Sequence, residues 1–247
     1  FAAVVGFRAW HDMHQPPKPA GARFDAFYLV RNDAEFKPFT SNPDDERAIV
    51  VWAGDIATAK DGSLSLKSIP VHPISLPQRE IIMLYTLDAV PSSMEPLAKL
   101  LTATTDKWRK AGDLINDIYI DGPRDRKSLG ALIDQSNELR GDMEEEYWLG
   151  IYAGKAAIES LPDRATRLED ASKSVRTLII TAAEDRKRDE KLEDFIRGLD
   201  KTTVLPFMVQ VDKHPDFNQL QKTLEPQPER FIGFLLPSSA ADNNILR

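Results

Sequence analysis

Residues 81–121, IIMLYTLDAVPSSMEPLAKLLTATTDKWRKAGDLINDIYID, spell a strand, a helix and a second strand in succession. The runs at 81–87 and 115–120 are short, rich in β-branched and aromatic residues, and closed by an Asp, the composition of a buried strand running into a turn. Between them, residues 95–110 set Leu97, Leu100, Leu101 and Trp108 near one helical face, with Ser93 as a start signal two residues ahead of Glu95. A strand–helix–strand unit of this kind specifies parallel strands joined by a right-handed crossover.

The same kind of run recurs on both sides. Downstream lie residues 147–152, 175–181, 204–211 and 231–236, with amphipathic stretches at 127–140, 156–175 and 187–199; upstream lie 48–52, 24–30 and 2–10. Strand and helix alternate without a break from residue 81 onward, which predicts an α/β fold. In a chain of 247 residues the natural closure is a (β/α)8 TIM-like barrel, with a doubly wound open sheet as the alternative. The strands near 81, 115, 147, 175, 204 and 231 are then expected to be parallel and in sequential order. The first 80 residues are less regular. Residues 12–23 and 72–77 are rich in Pro, 55–67 read as a loop or small hairpin, and one of the three early strands is expected outside the barrel. No linker or internal repeat divides the chain, so 1–247 reads as one domain, with 1–80 irregular and 81–247 in regular βα alternation.

Composition narrows the chemistry. The chain is 42% hydrophobic and 29% charged, ordinary for a soluble protein with a large core. It has no Cys, which removes disulfides, thiol nucleophiles and thiolate zinc sites. A formal charge of −7 argues against a nucleic-acid partner. No apolar run approaches the roughly 18–20 residues of a transmembrane segment. GxxxxGK[ST], GxGxxG, GxSxG and HExxH are all absent, so nucleotide cofactors, serine-hydrolase chemistry and zinc proteolysis lack their usual motifs; no cofactor is expected and no residue is assigned as a metal ligand. His11 and His14 in WHDMH stand just before Pro16-Pro17 and read as loop residues. The start at Phe1 instead of Met suggests a processed chain and hints at export, to the periplasm or cell envelope, with the cytoplasm as the alternative.

Barrel enzymes carry their chemistry at the C-terminal ends of the strands, and here those ends are acidic: Asp55, Asp88, Asp121, Glu184 with Asp185, and Asp212. Any one of them fits a turn or helix cap. Together they suggest a ring of carboxylates suited to glycosidic general acid–base chemistry or to a divalent cation. Convergence would push at least one carboxyl's pKa up through mutual repulsion. Asp121, Asp88, Glu184 and Asp212 are the catalytic candidates. In INDIYIDGP, alternation puts Asp117, Tyr119 and Asp121 on one face and Ile118 and Ile120 on the other. Asp117 and Tyr119 are therefore substrate-binding candidates, with Trp52 and Trp148 as surfaces on which a sugar could stack. Tyr152 is another strand-end aromatic, for which core packing is the plainer reading.

From residue 81 to the end the chain resembles the bacterial family called domain of unknown function 3142, barrel-like proteins that are often exported. The resemblance runs through REIIMLYTLD with the following WRKAG, INDIYID, EYWLGIYAG, VRTLIITAAE, and PFMVQVD with RFIGFLLPSS, about two thirds of the chain. Its strand-end Asp matches Asp121 and invites comparison with glycoside hydrolases. Chitinase-type barrels carry DxxDxDxE on this strand. With their central Asp placed on Asp121, Tyr119 and Pro123 stand where Asp and the proton-donating Glu belong, so substrate-assisted chitinase chemistry is not expected. The resulting expectation is a carbohydrate-active, glycoside-hydrolase-like barrel with a glycan ligand. The alternative is a catalytically silent barrel serving as a binding or accessory subunit of a cell-envelope assembly, with an envelope protein as partner.

Overall fold

The computed structural model describes residues 23–40, 48–67, 71–73, 80–144, 146–224 and 231–242. The candidate strand at 2–10 and the histidines His11 and His14 lie outside them. In chain order the elements are β1 (Arg23–Val30), a 3-10 turn (Asp33–Phe36), α1 (Lys37–Thr40), β2 (Ala48–Thr58), β3 (Leu64–Leu66), β4 (Glu80–Leu87), α2 (Glu95–Lys110), β5 (Leu114–Asp121), α3 (Arg126–Asp134) and α4 (Ser136–Asp142). There follow β6 (Trp148–Tyr152), α5 (Lys155–Glu159), α6 (Arg164–Ala171), β7 (Val175–Thr181), α7 (Ala182–Asp185), α8 (Leu192–Thr202), β8 (Phe207–Gln210), α9 (Phe217–Thr223), β9 (Phe231–Pro237) and a closing 3-10 turn (Ser238–Asp242).

The sheet runs β1-β9-β8-β7-β6-β5-β4-β2, and β1 also pairs with β2, so eight strands close on themselves. All pairings around the ring are parallel. This is a (β/α)8 barrel, and the closing β1–β2 pair excludes the open sheet. The six later strands follow in sequential order, as the alternation predicts. β3 alone is antiparallel, folding back on the end of β2, which is the small hairpin expected within 55–67.

Alternation along the strands sorts side chains into two cores. Leu29, Val50, Ile82, Leu84, Tyr119, Tyr152, Ile179, Met208 and Leu235 fill the barrel interior. Ile118 and Ile120 belong to the larger core shared with the helices, so β5 has the register its sequence predicts. Two interior side chains owe their space to glycines on the next strand. Tyr119 is in register with Gly150, where a Cβ would overlap the phenol ring, and Met208 is in register with Gly233, where a Cβ would lie 2.6 Å from Met208 Cγ.

The helices depart from the sequence reading in several places: the stretch at 187–199 is helical only from Leu192, and α9 is not foreseen. α2 has Met94 at its N-cap with no side-chain bond, so Ser93 does not cap it. The stretch at 127–140 is two helices that meet at Gln135. The stretch at 156–175 is likewise two, divided near Pro162 with Asp163 left-handed at φ 49°. α3 is capped by Asp125, whose carboxylate accepts from the backbone N–H of Lys127 (2.9 Å) and Ser128 (3.1 Å). Among the described residues no helix is long and apolar enough to cross a membrane.

Candidate functional site

Because the staves are parallel, their C-terminal ends share one rim. Arg124, three residues past the end of β5, organises it. Its Nε donates to Asp121 Oδ1 (3.2 Å), and its Nη2 donates to Asp121 Oδ1 (3.2 Å) and Oδ2 (3.1 Å). Its Nη1 donates to Thr181 Oγ1 (3.1 Å) and to Glu184. All of its N–H donors are thus engaged. Its guanidinium carbon also sits 5.2 Å from the centre of the Tyr152 ring. Burial works against the charge, but the hydrogen bond and charge of Asp121, with the charge of Glu184, more than offset it and raise the Arg124 pKa.

A cavity of about 270 Å³ opens at this rim. Leu29, Leu84 and Tyr152 line it from the barrel interior, and Arg31, Trp52, Thr86, Asp121, Arg124, Thr181, Glu184 and Gln210 stand around it. Trp52 is oriented by a short chain: its Nε1–H donates to Thr86 Oγ1 (3.1 Å), and the Thr86 hydroxyl donates to Asp55.

Tyr152 is only 3% exposed; it lines the cavity, and its hydroxyl has no hydrogen-bond partner among the described residues. Burial, then the Asp121 charge, pushes the phenol well above its ordinary pKa, against the pull of Arg124 and Arg31. It therefore stays protonated and able to donate. The backbone N–H of Arg31 donates to Glu35 Oε2 (2.8 Å), whereas its guanidinium forms no ion pair or hydrogen bond among the described residues. Leu29, Arg31 and Gln210 also line a second, outer cavity of about 690 Å³.

One more carboxyl stands behind the rim. Asp185 Oδ1 accepts from the Lys155 backbone N–H (3.1 Å), but Oδ2 is buried without a partner among the described residues. Desolvation raises the Asp185 pKa, against the Lys155 hydrogen bond and the Arg124 charge.

The four catalytic candidates do not form a ring. Asp121 and Glu184 share the inner cavity, and Trp52 joins them there. Asp212 lines only the outer cavity. Asp88 is on neither, because its oxygens accept from the Thr58 backbone N–H at 3.0 and 3.2 Å and secure the β2–β3 hairpin. The mutual repulsion expected of converging acids is replaced by the guanidinium between Asp121 and Glu184. Among the described residues no group of three or more His, Asp or Glu is placed to hold a metal ion.

The other candidates lie below the rim. At about 3.3 Å per residue, Tyr119 and Asp117 stand roughly 7 and 13 Å down the strand from Asp121. Tyr119 is buried in the barrel with its hydroxyl 3.8 Å from Met208 Sδ, and Asp117 is buried against Arg176 at 3.3 Å. Trp148 opens β6, at the opposite end of the barrel. There it lies between Arg140 (4.0 Å) and Arg176 (5.1 Å). These three positions stabilise the barrel and do not reach the cavity.

Arg31 and Arg124 were not legible to a search for acidic strand ends. The available signal was a cation three residues beyond Asp121, in DGPR, and another immediately after β1.

No family model matches the chain, and no curated protein matches it. Among solved structures it is similar to triclinic and trigonal crystal forms of 2,3-dimethylmalate lyase, a PEP mutase/isocitrate lyase superfamily member. The TM-score is 0.49 for both, at 11% and 10% identity, covering 97% of this chain and 81% and 79% of those chains. The likeness is one of chain course. Asp121 and Glu184 are tied to one guanidinium instead of facing each other across an open cleft. The expectation of a carbohydrate-active, glycoside-hydrolase-like barrel is corrected accordingly.

Proposed function

We propose that this barrel binds a small organic acid, with a hydroxyl or keto oxygen next to its carboxylate, in the inner cavity. The observation that carries this reading is Tyr152: a nearly fully buried residue on the cavity wall whose hydroxyl, like the Arg31 guanidinium beside the same cavity, has no partner among the described residues. A ligand oxygen in the cavity can accept the hydrogen bond that this hydroxyl has to give. The planar fork of Arg31 suits a carboxylate. Asp121 and Glu184 keep lone pairs beyond those given to Arg124 and can accept from a ligand hydroxyl. The charges of Arg31 and Arg124 balance those of Asp121 and Glu184, so the anion is selected by local geometry and not by a positive field. A volume of about 270 Å³ suits a small metabolite.

Isothermal titration of lactate, glycerate and pyruvate, with glycerol as the neutral control, tests this. Binding of the acids but not of glycerol, weakened about tenfold or more by Arg31→Gln and by Tyr152→Phe, is expected. No heat from any acid, or full affinity in both variants, would overturn the reading.

A further inference from the structure

We infer that the ligand is longer than the inner cavity and continues past Arg31 into the outer one; this rests on the reading of the inner cavity as an acid site. Leu29, Arg31 and Gln210 line both spaces, so the two compartments meet at one shared wall. The outer compartment, about 690 Å³ against about 270 Å³, offers the larger part of the available contact surface.

The outer compartment is built from three neighbouring staves. Ala34 and Pro38 come from the segment after β1, Val211 and Asp212 from the end of β8, and Pro237 and Ser239 from the end of β9. The segment after β1 is braced by Glu35, which accepts from the Arg31 backbone N–H (2.8 Å), from Asn32 Nδ2 (2.8 Å) and from the Ser238 hydroxyl (2.9 Å). That bracing joins the β1 side of the compartment to the β9 side. The space is therefore formed before any ligand arrives, and little ordering cost attends its filling.

Its chemistry sets the class of tail. Leu29, Ala34, Pro38, Val211 and Pro237 give an apolar surface, and Glu35, Lys37 and Asp212 add charged groups to the wall. The Asp212 carboxylate has no ion pair or hydrogen bond among the described residues. The tail that fits is a short aliphatic chain ending in a hydrogen-bond donor, and the ligand as a whole is a medium-chain hydroxy acid with a polar far end.

The test is a titration series of lactate, 2-hydroxyhexanoate, 2-hydroxyoctanoate and 6-amino-2-hydroxyhexanoate. Each buried methylene is expected to tighten binding by about fourfold. The amino-ended acid should bind more tightly than 2-hydroxyhexanoate, and Asp212→Asn should erase that difference. Ser239→Trp, at an exposed position, puts an indole into the outer compartment where the tail would lie and should flatten the series, so that the eight-carbon acid binds that variant no better than lactate does. Lactate binding combined with indifference to chain length, or a series unaltered by Ser239→Trp, would overturn the extension alone. Equal affinity for the amino-ended and methyl-ended acids would overturn the role of Asp212. Silence from every acid, lactate included, would overturn the inner site and the extension together.

Discussion

Arg124 and Asp121, three residues apart in sequence, meet side-on: two guanidinium nitrogens reach the carboxylate at 3.1–3.2 Å while the remaining one crosses to Thr181 and Glu184 on the far side of β6. One side chain thus ties the end of β5 to the end of β7. An ammonium cannot reproduce that fork. Arg124→Lys should therefore lower stability by about 1–3 kcal/mol in urea melts and weaken acid binding. Asp121→Asn should also destabilise, the opposite of the outcome for an acid relieved of repulsive neighbours.

Gly150→Ala forces a methyl group into the Tyr119 ring, so that the ring or the strand must shift. Overpacking of this kind costs about 1–3 kcal/mol. Tyr119→Leu in the same chain withdraws the ring from the overlap, so the double variant should be less destabilised than the sum of the singles. A sum of independent effects in urea melts would show that the two residues do not couple.

The pH dependence of stability should carry the mark of Asp185. Its folded pKa is raised, chiefly by burial, above the ordinary 3.8. The protonated form therefore favours folding; that contribution is complete below pH about 3.8 and fades as pH rises through the folded pKa. Asp185→Asn keeps an oxygen for the Lys155 N–H and removes the charge. Thermal melts should place the variant about 1–3 °C above the parent at pH 7, with the gap closing toward pH 4. A constant gap across that interval would assign the difference to something other than ionisation.

Asp88 offers the contrast. Asp88→Ala removes the acceptor for the Thr58 N–H at an exposed hairpin, and should cost about 1 kcal/mol or less. Hydrogen exchange at Thr58 should quicken locally.

The barrel was legible because its instructions are repetitive. In LINDIYID, two isoleucines on one face and Asp117, Tyr119 and Asp121 on the other fix which side of β5 is inside. The site was harder to read because the same alternation gives direction but no depth. Asp117, Tyr119 and Asp121 look equivalent in sequence, yet only the last reaches the rim. A strand-end Asp looks the same whether it pairs with Arg124 or, like Asp88, holds a neighbouring backbone. Arg31 was missed for a related reason: the worth of a lone guanidinium depends on which distant carboxylates are already taken. Helix breaks at Gln135 and Pro162 escaped because the apolar period continues across them.

The closing seam of the barrel bears on how the chain reaches this structure. β1 is the first described strand, yet one of its two neighbours is β9, the last, in register from Arg23↔Phe231 to Leu29↔Pro237. During synthesis, which proceeds at about 5–20 residues per second, β1 can meet β2 early but must wait for some two hundred further residues before its other edge is covered. Until then the growing sheet presents unpaired, strongly apolar edges, the kind that recruit strands from other chains. Aggregation of this protein should therefore be a hazard of incomplete chains, and a variant that weakens β9 should be lost to inclusion bodies more readily than one that weakens a central stave by the same amount.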